Sequence, residues 1–269
     1  TTTGDISLVA NSGGSASGNF SGIALGGSVV ESVDGAITLD GHGGDTGTVN
    51  AGVHLDNDAI LRTTGGGAIS VNGEGGDSDS NFNQGILLES GSQILSTSSA
   101  ANAGSITLVG DSGTGLGLPA RGIDLRDDGS GTLIQSVNGD ISLTGTGRRT
   151  GGSNGQGIFL WDGALIESTG TGVNAATISL VGTNNATSGG AQRGVQIDGG
   201  SGNFATGIIS VDGDVSIEGT AGSNENDIQV LAGGKIETTG SANISLVGNS
   251  RGIQITDPGG SVGSATASG

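Results

Sequence analysis

Ser or Thr stands between two aliphatics at Ser7, Thr38, Ser70, Thr107, Ser142, Ser179, Ser216 and Ser245. Such an array is either an outward hydroxyl ladder on β-strands or an ice- or surface-binding grid. The flanking positions are mixed (Asp5, Asp40, Asn72, Glu218), so no second Thr column exists and the ladder is the preferred reading. A second column runs Ser21, Ala51, Gln84, Arg121, Gln156, Arg193, Asn226, Arg251. From Arg121 onward Arg alternates with a neutral amide, which doubles the spacing of like charges. That pattern favours structural accommodation over an anion-binding stripe. Phe159 and Trp161 point outward from one strand, beside Asp162. These three residues form a possible contact patch or sugar platform; packing of the aromatics under the adjacent loop ridge is the preferred reading.

Metal and catalytic sets are sparse. Gly43-Gly44-Asp45 and Glu74-Gly75-Gly76-Asp77 resemble the calcium repeats of RTX toxins, without their nine-residue period. His42 and His54 are the two histidines, and no third ligand accompanies them, so no zinc site is expected. The chain has no cysteine, which excludes disulfides and thiolate sites. Lys235 is the single lysine, acids such as Asp127 and Asp128 scatter over turns, and no Ser-His-Asp or Cys-His set is visible. No catalytic residue, metal site or cofactor is therefore assigned, calcium being the alternative. A carbohydrate-active enzyme is the third functional reading.

The net charge of −18, from 26 acids against 8 bases, argues against nucleic acid and anionic membrane surfaces. No apolar run approaches the ~18 residues of a membrane span, and no signal peptide is recognised, as expected of a mature product or an internal piece. The 59 glycines are about three times the usual ~7% share. Aromatics make up only 2%, so Ile, Leu and Val must build a narrow, layered interior.

The elements that position these columns repeat. Strand A carries Ile6/Leu8, Ile37/Leu39, Ile69/Val71, Ile106/Leu108, Ile141/Leu143, Ile178/Leu180, Val215/Ile217 and Ile244/Leu246. Successive starts are 31, 32, 37, 35, 37, 37 and 29 residues apart. Strand B carries Ile23/Leu25, Val53/Leu55, Ile86/Leu88, Ile123/Leu125, Ile158/Leu160, Val195/Ile197, Ile228/Val230 and Ile253/Ile255. Strand C begins at Val30, Leu61, Leu95, Ile134, Ile166, Ile208, Ile236 and Val262, an aliphatic usually followed two residues later by Ser or Thr. Period two puts each pair on one face of a strand. One unit cannot bury itself; stacking closes the aliphatic columns. The expected fold is all-β, a right-handed parallel β-helix of about eight coils with three short strands each. It spans 1–269 as one continuous solenoid, with repeats starting near 4, 35, 67, 104, 139, 176, 213 and 242. A β-propeller is less compatible with three strands per unit.

Gly41, Gly73, Gly110, Gly145, Gly182, Gly219 and Gly248 follow strand A, where a sharp corner calls for φ > 0. From strand A to strand B the offsets are 15, 14, 15, 15, 15, 15, 11 and 7 residues. Near-constant length predicts an ordered ridge of stacked loops that tapers toward the C-terminal side.

The run Gly139-Asp140-Ile141-Ser142-Leu143-Thr144-Gly145, then Gln156-Gly157-Ile158-Phe159-Leu160, then Ala164-Leu165-Ile166-Glu167-Ser168, resembles the repeat arrays of filamentous haemagglutinin and its two-partner-secretion relatives. The resemblance covers the whole chain. It implies a bacterial exoprotein shaft, export to the cell surface or a secreted filament, and a role in adhesion, aggregation or biofilm matrix. The Asn-Pro-Asn phrases of that family's secretion domain are missing; the prolines are Pro119 and Pro258. The leading reading is thus an extracellular structural rod. It would self-associate end to end or continue into further repeats of the same chain. A glycan-binding adhesin segment using Phe159 and Trp161 is the alternative.

Overall fold

The computed structural model describes residues 3–14, 16–79, 82–114, 119–148, 154–187, 190–202, 204–222, 225–256 and 259–264. Pro258, most of the glycine-rich tail and the tips of several A-to-B loops lie outside the described residues. The fold is a parallel β-helix, a solenoid of eight coils. Strands A, B and C each build their own eight-stranded sheet, and each sheet runs through all the coils. Every pairing between neighbouring coils is parallel and in register, as in Ile106↔Ile141↔Ile178 and Ile123↔Ile158↔Val195. Among the described residues the one helical piece is the short 3-10 turn Gly172–Asn174.

The hydrophobic pattern explains the interior. Strand A of coil five, Ile141–Gly147, alternates buried and more exposed residues, with Ile141 and Leu143 inside and Ser142 outside. The core consists of Ile, Leu, Val and a few Ala, as the scarcity of aromatics predicts. Each inward side chain packs on its equivalent one coil away, about 4.8 Å along the axis. Water is thereby excluded from both sides of every layer except at the ends.

Strand C brings a hydroxyl column inside. Ser32, Thr63, Ser96, Ser136, Ser168, Ser210 and Thr238 are all buried. Three of them satisfy the corner that leads to the next strand A: Ser96 Oγ donates to the Gly104 carbonyl at 2.6 Å, and Ser136 and Ser210 do the same to Gly139 and Gly213. This column corrects one register assignment. In coil three the inward aliphatic is Ile94, not Leu95: Ile94 pairs with Leu61 and Ile134, while Leu95 lies on the outer face. Two adjacent aliphatics leave the face ambiguous, and a one-residue slip would reverse it. Ser96, in line with Thr63 and Ser136, decides the matter.

The corner glycines are also explained differently. Gly41, Gly73 and their equivalents lie within strand A, and none has positive φ. The reason for glycine is contact. A Cβ on Gly145 would meet the Gly157 carbonyl oxygen at 2.2 Å, and a Cβ on Gly157 would meet the Thr183 nitrogen at 2.4 Å. The end of strand A and the lead-in to strand B therefore run backbone against backbone, leaving no room for a side chain.

The face assignment makes a measurable contrast. Ile141→Ala, in the closed core, is expected to destabilise by about 2–5 kcal/mol. Ser142→Ala, one residue away on the outer face, should change stability by less than ~0.5 kcal/mol. Denaturant melts of the two variants test this, and equal losses would contradict the inside-outside alternation.

Candidate functional site

The outer face of sheet B carries the column Ala24, His54, Leu87, Asp124, Phe159, Gln196, Gln229, Gln254, one residue per coil. Its variety suggests a free surface, yet from Leu87 to Gln229 every member is buried. The cover is the returning limb of each A-to-B loop. These loops stack coil on coil, with Asn50 N donating to Phe82 O at 3.0 Å and Ala120 N to Asn154 O at 3.2 Å. The ridge expected from constant loop length is thus present in the flanks that the structure describes.

The residues just before the strand-B glycines project over this face and form a buried polar network. Asp124, fully buried, accepts from Gln84 Nε2 at 3.1 Å, Arg121 Nη1 at 2.8 Å and Arg126 Nε at 2.9 Å, with Arg126 Nη2 also bonded to it. Arg121 Nε donates to Gln156 Oε1 at 2.8 Å, and Gln156 Nε2 donates to Gln196 Oε1 at 2.7 Å. Arg193 continues the chain to Gln196 at 3.1 Å and pairs with Glu225 at 2.9 Å. The amide between the two arginines thus has a structural cause: Gln156 accepts from Arg121 and donates to Gln196, which also accepts from Arg193. Burial alone would raise the Asp124 pKa. The charges and hydrogen bonds of Arg121 and Arg126 outweigh it and hold the carboxyl at about 2. For Arg121, burial prevails and lowers the guanidinium pKa despite the attraction of Asp124.

The three patch residues fall into different environments. Phe159 is 6% exposed, with the Arg121 guanidinium 3.9 Å from its ring centroid, so it is not a surface platform. Trp161, 39% exposed, is the member that reaches solvent. Asp162 sits at φ 50, and its Oδ1 accepts from Gly202 N at 2.9 Å, closing a turn between coils. Trp161, Phe159, Phe82, Arg121 and Arg126 line one cleft of about 350 Å³, with Pro119 and Asn154 at its border. Arg126 also approaches the Phe82 ring, 5.4 Å from its centroid. The sequence signalled two of these aromatics; the convergence with Phe82 and both arginines depends on loop packing.

A second cluster also emerges. His54 Nε2 lies 2.9 Å from Glu89 Oε1, and Asp56 brings a carboxylate within 4.8 Å of both. His54 therefore has potential co-ligands that sequence spacing conceals, because Glu89 belongs to the next coil. The set offers three ligands, fewer than the six to eight oxygens of calcium. Arg126 stands 3.9 Å from Glu89 and opposes a cation there. His42 lies 3.4 Å from Glu74.

The acidic glycine-rich stretches serve packing. A Cβ on Gly76 would meet the Gly44 carbonyl oxygen at 1.8 Å, so these loops stack without side chains between them. Asp77 Oδ1 accepts from Thr114 Oγ1 at 2.6 Å and Thr114 N at 2.7 Å, which lowers its pKa. The same use of a carboxylate recurs before strand A. Asp5, Asp140 and Asp214 accept the amide N–H of Ala36, Thr177 and Asn243 on the following coil, at 2.8, 2.9 and 2.8 Å. Comparison with protein-family models, curated proteins and solved structures returned no match.

The Asp124 cluster predicts a pH dependence. Its folded pKa of about 2 lies below the usual 3.8. The ion pair therefore contributes fully above about pH 4, and the contribution is lost as pH falls through about 2. Asp124→Asn removes the carboxylate that two buried guanidiniums share and should cost about 3 kcal/mol at neutral pH. Urea midpoints measured from pH 7 to pH 2 should converge for wild type and variant at the acid end; a constant gap would contradict the assignment.

Proposed function

We propose that this chain is a structural repeat shaft of a bacterial surface or secreted filament protein, stacked end to end on coils of its own kind. The observation that carries this reading is that all three sheets pair in register from each coil to the next, a geometry that further coils can extend. Ile37 and Leu39 in coil two are fully buried, whereas Ile6 and Leu8 in coil one are only partly covered. At the other end Ile253 and Ile255 are 41% and 46% exposed. An open hollow of about 510 Å³ lies there, lined by Ile244, Leu246 and Val262 together with Thr238 and Asn243. Each end also presents strands whose N–H and C=O groups have a partner on one side only, which is a template for another strand.

The shape of these ends supports self-stacking. The exposed columns are Ile and Leu at the same register that joins every internal pair of coils. A copy laid against the end would continue sheets A, B and C with no new geometry. Such a head-to-tail interface is heterologous and grows rather than closing. Regular, in-register backbone ladders give a stiff rod, and surface corners can vary without disturbing it. The resemblance to filamentous-haemagglutinin repeats supports export to the cell surface, with adhesion, aggregation or matrix formation as the role such a rod would serve. The reading is non-catalytic, with buried carboxylates such as Asp124 and Asp227 bonded between coils.

Assembly is directly testable. Electron microscopy and sedimentation of the isolated chain at rising concentration should show fibres with an axial repeat of roughly 40 Å, eight coils at about 4.8 Å each. The double variant Ile253→Lys with Ile255→Lys should shift the distribution to monomer while leaving the melting temperature of the body nearly unchanged. A monodisperse wild-type monomer at high concentration would overturn the proposal.

A further inference from the structure

The cleft beside Trp161 has properties that the rod does not need. The chain carries 8 basic residues against 26 acidic ones, yet two of its arginines converge on this one cavity. Arg121 uses Nε for Gln156 and Nη1 for Asp124, and its Nη2 has no hydrogen bond among the described residues. Arg126 uses Nε and Nη2 for Asp124, and the nearest carboxylate to its Nη1 is Glu89 at 3.9 Å. Two guanidiniums share one buried carboxylate, so the Arg121–Asp124–Arg126 set bears one net positive charge. Glu89, 3.9 Å from Arg126, balances that charge while bonding to His54 at 2.9 Å, so what the cleft offers is unused guanidinium N–H donors and not a net charge. Asp198 also lies near enough to Arg121 to be felt.

We infer that this cleft binds a carboxylated sugar, a pyranose ring bearing an acid group, with the carboxylate on Arg121 and Arg126 and the ring face on Trp161. Free guanidinium N–H groups at the rim of a low-dielectric cavity are strong, directional carboxylate donors. Their donors are already oriented: Arg121 is fixed over the Phe159 ring at 3.9 Å and Arg126 faces Phe82 at 5.4 Å. Less conformational freedom is therefore lost on binding. Trp161 directly follows Arg126 in the ladder of sheet B, one coil further on. The apolar platform and the charged anchor are thus separated by about 4.8 Å, the scale of a sugar ring and its exocyclic acid group. Trp161 is 39% exposed although the aromatic beside it is covered, so its ring is open on the cavity side. The volume, about 350 Å³, is at the small end of the range for ligand sites, about 300–1,000 Å³. The rod reading stands or falls separately, because it rests on the coil-to-coil pairing of the sheets and not on this cleft.

Trp161 is the one tryptophan of the chain, so its fluorescence reports this site alone. The wild-type protein is titrated with trigalacturonate, with its methyl ester, with sialyllactose, with benzoate and with inorganic phosphate. The expected result is saturable change with trigalacturonate or sialyllactose, and at least tenfold weaker binding of the ester. Which acid binds more tightly identifies uronate or sialate as the source. Affinity should fall as sodium chloride rises, since the anchor is an ion pair. Calorimetry of Trp161→Ala should show at least tenfold loss with an unchanged melting temperature, because the ring is part-exposed; if this variant unfolds, the wild-type titration decides alone. No response to either acidic sugar, equal binding of the ester, or equal binding of benzoate or phosphate would overturn the inference.

Discussion

The whole structure depends on one constraint: equivalent strands of successive coils must pair in register at backbone distance. A coil has too few inward aliphatics to bury them by itself, so its stability comes from its two neighbours. That requirement explains the glycines better than turn geometry does. Where strand A meets the lead-in to strand B, the chain presses on itself and on the next coil at the same time. Gly157 touches the backbone of coil five through Gly145 and of coil six through Thr183. A side chain there would push sheets A and B apart, and the displacement would be inherited by every coil that stacks above.

The same constraint organises the charges. A net charge of −18 would ordinarily oppose a compact stack. Several carboxylates lower that cost because they work as hydrogen-bond acceptors for the neighbouring coil. Asp34 accepts from Gly66 N at 3.0 Å, and Asp212 accepts from Gly172 N and Ser241 N, both at 2.8 Å. Corner amides that no ladder partner reaches are satisfied in this way. The bases have a different role. Arg121 and Arg193 lie on the covered face of sheet B, where the stacked loops remove water and a guanidinium can join several amides and carboxylates at once.

Much of this was legible in the sequence. Period-two aliphatics at intervals near 35 residues require a stack of strands, and constant loop offsets require ordered loops. The individual errors have physical causes. Ile94 and Leu95 are both aliphatic, so hydrophobicity could not choose the face; the inward hydroxyl at Ser96 did. The glycines after strand A looked like corner residues because close backbone contact between two sheets has no signature beyond glycine itself. Phe159 faces away from the solenoid interior, so the sequence left it between a surface patch and the cover of a loop; the return of the loop from the previous coil places Arg121 over it and settles for the cover. The cleft at Trp161 was invisible for the same reason: Phe82, Arg126 and Trp161 come from three coils, and sequence spacing carries no information about what stacks above what outside the strands. His54 and Glu89 are another such pair, 35 residues apart in the chain and 2.9 Å apart in space.

The taper of the ridge shows how local chemistry replaces a missing layer. In the first six coils the A-to-B offset is 14 or 15 residues, and from coil three onward the outer face of sheet B is covered; the offsets then fall to 11 and 7. At the first shortened loop the glycine before strand B is replaced by Asp227, the one exception in its column. Its carboxylate accepts from Ala221 N at 2.7 Å, from Ser250 N at 2.8 Å and from Gly252 N at 2.8 Å, with the Arg251 amide and the Ser250 hydroxyl as further donors. Burial opposes the charge, but this set of donors pulls the pKa well below the ordinary carboxylate range. One ionised side chain thus ties down the short loops of coils seven and eight, whose amides would otherwise lose the coil-to-coil partners that a full-length loop supplies. Gln229 and Asn226 then share Gln254 Oε1, carrying the amide network to the end of the sheet without another arginine. The buried link between coils seven and eight is therefore carried by neutral amides beside one ionised carboxylate, Asp227.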